Sequence, residues 1–161
     1  MRALILETLY EISKKPYQKW FKNNSPWNIT ASELITYPMH SLGFHLGCFL
    51  LQHNFEPQPK LENHDVFHVL TGLGISVPDE IAMQYYLLGN QKRSIYLFMV
   101  ITVGTILYPD QWKLFKKAYQ KGKASYPFHG LDFSKLLDKN IHQLRSAFLI
   151  QSIAYTSIQT K

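Results

Sequence analysis

At 161 residues the chain suits one domain around a single core, residues 1–161. Its lone cysteine excludes an internal disulfide and implies a reducing compartment, and Cys48, between Gly47 and Phe49, reads as a buried packing residue. The net charge of +6 turns attention to anionic partners, although no zinc-finger spacing, RNA-recognition signature or basic heptad accompanies it, so nucleic acid is not expected. The apolar run through Leu6 is broken by Glu7 and lacks a small-residue cleavage site, so neither signal nor transit peptide is expected, and a cytoplasmic protein of bacterial origin is.

In chain order the periodicity predicts helices near 2–13, 15–23, 30–36, 38–53, 61–73, 77–90, 92–107, 109–121 and 134–157, an all-α compact bundle of about seven to nine helices. All eight prolines fall at joints or first turns of these segments. In the fourth helix Leu42, Leu46, Phe49 and Leu50 recur at helical spacing, as core packing or as the wall of a lipid cavity. Residues 54–60, with two prolines, form a linker loop.

The next two helices make an αα-hairpin with candidate metal ligands. His64, Asp65 and His68 can share one helical face, because i,i+4 and i,i+3 neighbours converge. Gly72 can supply a left-handed helix end, Ser76 an N-cap with Asp79 three residues on, and Pro78 a first-turn proline. Glu80 then lies in the opening turn of the second helix, near where the first one stops. Two imidazoles with carboxylates suit zinc first, iron or manganese next, and calcium poorly. A peptidase is not expected, since Asp65 stands where the zincin pattern needs the longer Glu. A phosphohydrolase of the His-Asp type remains a rival, with His40, His45 or His53 upstream and Asp110, Asp132 or Asp138 downstream as further ligands.

Ile95–Tyr108 is uncharged but falls short of the roughly 20 residues that cross a bilayer, so it is expected as a buried core helix, with a lipid-facing helix as the alternative. Lys113, Lys116, Lys117 and Lys121 form one basic helical face, which is either simply solvated or set against an anionic membrane. A loop spans 121–133, and the last helix carries an apolar stripe through Leu137, Ile141, Leu144 and Phe148.

The block His64-Asp65-Val66-Phe67-His68-Val69-Leu70-Thr71-Gly72, followed by Glu80-Ile81-Ala82, resembles the signature of the Coq-four family of ubiquinone-biosynthesis proteins. Tyr37-Pro38 with Ser41-Leu42-Gly43 resembles a further family segment, and Leu144-Arg145 with Leu149-Ile150 its closing helix more loosely. The family's Trp-Glu near the closing segment is not matched; Asp132-Phe133 is nearest. The resemblance implies an all-helical protein peripheral to the inner membrane, working beside other quinone-biosynthesis enzymes, with homodimerisation open. It implies oxidative decarboxylation, with hydroxylation, at C1 of a polyprenyl-hydroxybenzoate precursor, hence a metal-dependent carbon–carbon lyase. His64, His68 and Glu80 are then ligands, Asp65 a fourth ligand or orienting group, and Asp65 and Glu80 the catalytic pair. A prenyl tail, of the quinone precursor or of another prenyl lipid, would contact Leu42, Leu46, Phe49, Leu50, Val69 and Leu70. The alternative implied role is a non-catalytic prenyl-lipid scaffold whose metal only ties the hairpin.

Overall fold

The computed structural model of the protein describes residues 26–58 and 62–153, and among these all regular structure is helical. The predicted helices at 2–13 and 15–23 lie outside the described residues. Seven α-helices follow in order: α1 (Ala31–Leu34), α2 (Leu42–Gln52), α3 (Glu62–Thr71), α4 (Val77–Gly89), α5 (Ile95–Leu107), α6 (Trp112–Ala124) and α7 (Ile141–Ala147). Single 3-10 turns precede α6, at Pro109–Gln111, and α7, at Phe133–Leu136.

Helix starts are set by side chains that satisfy otherwise unpaired first-turn amides. Thr30 and Glu33 form a reciprocal capping box on α1; Ser41 accepts from Phe44 N–H at α2, Ser76 from Asp79 N–H at α4, and Ser94 from Leu97 N–H at α5. Gly72 has φ 69°, the left-handed turn expected where α3 ends. The spacing predicted the α3–α4 hairpin correctly, with its proline in the first turn of α4.

α4 is the central element, with every side chain from Ile81 to Leu87 buried. α6 packs along one side of it and α5 along another. The α4–α6 contact is close because both helices present glycine: a Cβ on Gly122 would stand 2.0 Å from the Tyr86 carbonyl oxygen, and one on Gly89 2.3 Å from that of Tyr119. Around this contact Tyr85 stacks on Phe115, with ring centroids 5.2 Å apart, and the Tyr86 hydroxyl meets Ser125 Oγ at 2.9 Å. α2 lies against α3, contributing Leu42, Leu46 and Leu50 to the same core as Val66, Phe67 and Leu70.

Four expectations need correction. The closing helix does not run from 134 to 157: Asn140 starts α7 afresh by accepting from His142 and Gln143 N–H, and Leu149 at φ 53°, with Ile150 N–H bonded to Arg145 O, closes it just past Ala147. Helix α6 runs on to Ala124, which shortens the loop expected from 121. Ile95–Tyr108 is not a buried core helix, since α5 packs at the edge of the fold and only Leu97 and Gly104 are fully covered. Cys48 is exposed, because Leu46, Gly47 and Leu50 take the inward face of α2.

The segment after α7 returns to the hairpin. Ile153 N–H donates to Thr71 O, and Arg145 donates from Nη2 to Val69 O at 2.7 Å and from Nε to Leu70 O at 3.1 Å. These bonds occupy carbonyls at the C-terminal end of α3, which a helix leaves without internal partners.

Candidate metal centre

The hairpin brings three donors together. His64 and His68 lie one turn apart on α3, and Glu80 comes from the first turn of α4. His64 Nε2 stands 3.1 Å from His68 Nε2 and 3.1 Å from Glu80 Oε2, and His68 Nε2 stands 3.1 Å from Glu80 Oε1. Donors on one ion at about 2.1 Å are about 3.0 to 3.4 Å apart for right-angled to tetrahedral geometry, so the trio fits a single divalent cation with little movement. Among the described residues this is the group of three or more His, Cys, Asp or Glu side chains able to hold a metal.

His68 is the best-held donor. Its Nδ1 lies 3.2 Å from the Leu73 carbonyl, which can only accept, so Nδ1 carries the proton and the Nε2 lone pair faces the other two ligands. The Phe49 ring lies flat against the imidazole, with centroids 5.5 Å apart and planes 14° from parallel. The His68 side chain is 2% exposed, whereas those of His64 and Glu80 are 26% and 35% exposed. The site thus has a closed floor at His68 and an approach past His64 and Glu80.

Electrostatics follow from this packing. Burial works to raise the Glu80 pKa, but the charges and hydrogen bonds of His64 and His68 outweigh it and hold the carboxyl far below its ordinary 4.5. Burial works to lower the His68 pKa; the Glu80 hydrogen bond and charge, the Leu73 carbonyl and Asp65 together reverse that and raise it above 6.5. Burial also raises Asp65 above 3.8, against the pull of His64 and His68.

Asp65 is therefore coupled to the trio by charge without belonging to it: its carboxyl is not among the convergent donors. The upstream and downstream candidates of the phosphohydrolase reading do not join either. Asp132 and Asp138 are exposed and paired with Lys135 and Lys139, and Asp110 is exposed. Among the described residues the His53 ring meets those of Phe49 and Phe55. Of the expected lipid contacts, Leu42, Leu46, Leu50 and Leu70 are buried in the core, while Phe49 and Val69 are half-buried and pack against it. Lys113, Lys116 and Lys117 are exposed as expected; Lys121 is half-buried and donates to Ser152 O.

Three contributors to the site were not read from the sequence. The Leu73 carbonyl has no side-chain signal, and only the reversal forced by Gly72 shows that some carbonyl must come back over His68. The Phe49 stack and the Arg145 clamp depend on long-range packing that periodicity does not encode.

Residues 58–154 match the protein family described as Coenzyme Q (ubiquinone) biosynthesis protein Coq4. No curated protein sequence matches the chain. Among solved structures the fold is similar to a crystal structure from Nostoc punctiforme PCC 73102, provisionally named a ubiquinone biosynthesis protein, with a TM-score of 0.66 over 94% of this chain and 82% of that one at 17% identity.

Proposed function

The chain belongs to the Coq4 family of coenzyme Q (ubiquinone) biosynthesis proteins, and from that membership we propose that it performs metal-dependent decarboxylation, with hydroxylation, at C1 of a polyprenyl-hydroxybenzoate precursor. The observation that carries this reading is the convergence of His64, His68 and Glu80 at 3.1 Å on a site closed behind His68 and accessible past the other two.

A divalent ion held there would supply positive charge to the substrate carboxylate and, as iron or manganese, electrons for dioxygen. The protein's own residues do the rest. Glu80 stays ionised across the working range and, with the two imidazoles, orients the site. The Leu73 carbonyl and the Phe49 ring keep His68 in one tautomer and one plane. Asp65, whose pKa burial raises from the ordinary carboxyl value, is the carboxyl next to the trio suited to pass a proton at the reacting centre. The prenyl tail runs along Phe49 and Val69, the half-buried edge of the apolar wall that Leu42, Leu46, Leu50 and Leu70 continue inward.

Among the described residues three donors converge, which would leave room for substrate on an ion held there and favours chemistry over a purely structural role, since structural zinc sites fill all four positions. The test is release of labelled carbon dioxide from a prenylated, carboxyl-labelled hydroxybenzoate by protein loaded in turn with iron, manganese or zinc. Turnover with iron or manganese that disappears in His64→Ala, and drops in a metal-retaining Asp65→Asn, is expected. Absence of turnover with every metal, in protein that still retains prenyl lipid, would replace this reading with the scaffold one.

A further inference from the structure

The starts of α2 and α7 are tied side by side. Their N-caps, Ser41 and Asn140, pair across an antiparallel bridge, Leu42 N–H donates to Lys139 O at 2.8 Å, Gly43 N–H to Leu137 O at 2.8 Å, and Ile141 N–H to His40 O at 2.9 Å. This pairing brings four basic side chains to one junction. His40 directly precedes the α2 cap, His45 lies in the first turn of α2, and His142 and Arg145 lie one turn apart on α7. His40 and His142 are exposed while His45 and Arg145 are half-buried, so the cluster leads from solvent inward.

No acid among the described residues balances this cluster. The carboxylates on the neighbouring elements are engaged elsewhere: Glu33 with Thr30, Glu56 with Ala31 N–H, Glu62 with Trp27 N–H, Asp132 and Asp138 with Lys135 and Lys139, and Glu80 with the ligand histidines, beside which Asp65 lies. Burial lowers the Arg145 pKa with no acid acting against it, and burial lowers that of His45, helped by Arg145, His142 and His40 as like charges. Among the described residues Arg145 donates from Nη2 and Nε to the neutral carbonyls of Val69 and Leu70, its Nη1 hydrogens meet no acceptor, and the three imidazoles form no hydrogen bond. A half-buried guanidinium without a counter-charge is costly, and an ion from solution relieves that cost. We infer that the α2–α7 junction binds a phosphate group, free or on an organic ester, between Arg145 and the imidazoles of His40, His45 and His142. A metal does not fit, since these imidazoles are not among the donors that converge closely enough to share an ion. A carboxylate fits less well, because donors spread over two helices suit the several oxygens and double charge of a phosphate better than two oxygens in one plane. The inference does not depend on the reaction proposed above. Because the same guanidinium holds Val69 O and Leu70 O, an anion there also braces the helix that carries His68.

The test is calorimetric titration of the full chain with inorganic phosphate and with glycerol 3-phosphate, at constant ionic strength and about pH 6, where imidazoles carry charge. Saturable binding is expected; a preference for the ester identifies the phosphate of an organic ligand, and a preference for inorganic phosphate identifies the free ion. His40→Gln combined with His142→Gln should weaken binding about tenfold with an unchanged melting temperature, because both side chains are exposed. His45→Glu sets a carboxylate beside Arg145, so it should abolish binding and raise the melting temperature in phosphate-free buffer by about 2 to 4 °C. The inference is overturned if neither ligand binds the wild type, or if either variant binds phosphate as the wild type does.

Discussion

At the residue scale the centre depends on how His68 is held. Its Nδ1–H is committed to the Leu73 carbonyl, its ring is covered by Phe49, and its Nε2 is left to the site. Without metal, Glu80 and His68 stabilise each other as ions, and the signs of their shifts define a pH window. The lowered Glu80 pKa contributes stability that is complete above the ordinary value of 4.5 and is lost as pH falls. The raised His68 pKa contributes stability that is complete below the ordinary value of 6.5 and is lost as pH rises through the folded value. The metal-free protein therefore gains most from this trio between pH 4.5 and 6.5. Metal competes with the His68 proton, so the melting-temperature gain on metal addition should widen as pH is raised from about 5.5 to 7.5. A gain that stays flat over that range would exclude His68 as a ligand. Glu80→Gln should weaken metal binding by more than the about 10- to 100-fold typical of losing an outer partner, measured by titration with a competing chelator.

At the element scale, close helix contacts and carbonyl clamps hold the ligand-bearing hairpin. Gly122→Ala would drive a methyl into the Tyr86 carbonyl, a backbone atom that cannot rotate away, so α4 and α6 must separate. A loss of about 3 kcal/mol or more is expected, lowering the melting temperature by roughly 6 °C or more. Gly130→Ala, where the added Cβ meets nothing within 4 Å, should melt like wild type. Arg145→Met removes both side-chain donors from Val69 O and Leu70 O; a cost of about 1–3 kcal/mol is expected by chemical denaturation. An Arg145→Met protein as stable as wild type would show that water replaces the clamp without cost.

The same scale explains what could be read from the sequence. Ser76, Pro78 and Gly72 act through their own backbone and nearest turn, so the hairpin and the position of Glu80 at its start were legible. The exposure of α5 was not, because an all-round apolar helix has no polar side to mark which face meets the core. The break before α7 was not read either, since an apolar stripe through Leu137, Ile141 and Leu144 continues across it and only the Asn140 side chain turns the chain into a new helix. For the site, the convergence of His64, His68 and Glu80 was legible from spacing, whereas the choice between the two places open to Asp65, fourth ligand or orienting group, was not, because i,i+3 spacing permits convergence without requiring it.

At the scale of the whole molecule, the centre and the exposed apolar helix are joined through α4, which carries Glu80 at its start and receives α5 on Ile81. The proposed chemistry requires that the trio bind an ion. The most direct test is elemental analysis of purified wild-type and His64→Ala protein after equilibration with zinc, iron or manganese and gel filtration. One ion per chain in the wild type and its loss from the variant is the predicted result; full stoichiometry retained in His64→Ala, or none in the wild type, would contradict it.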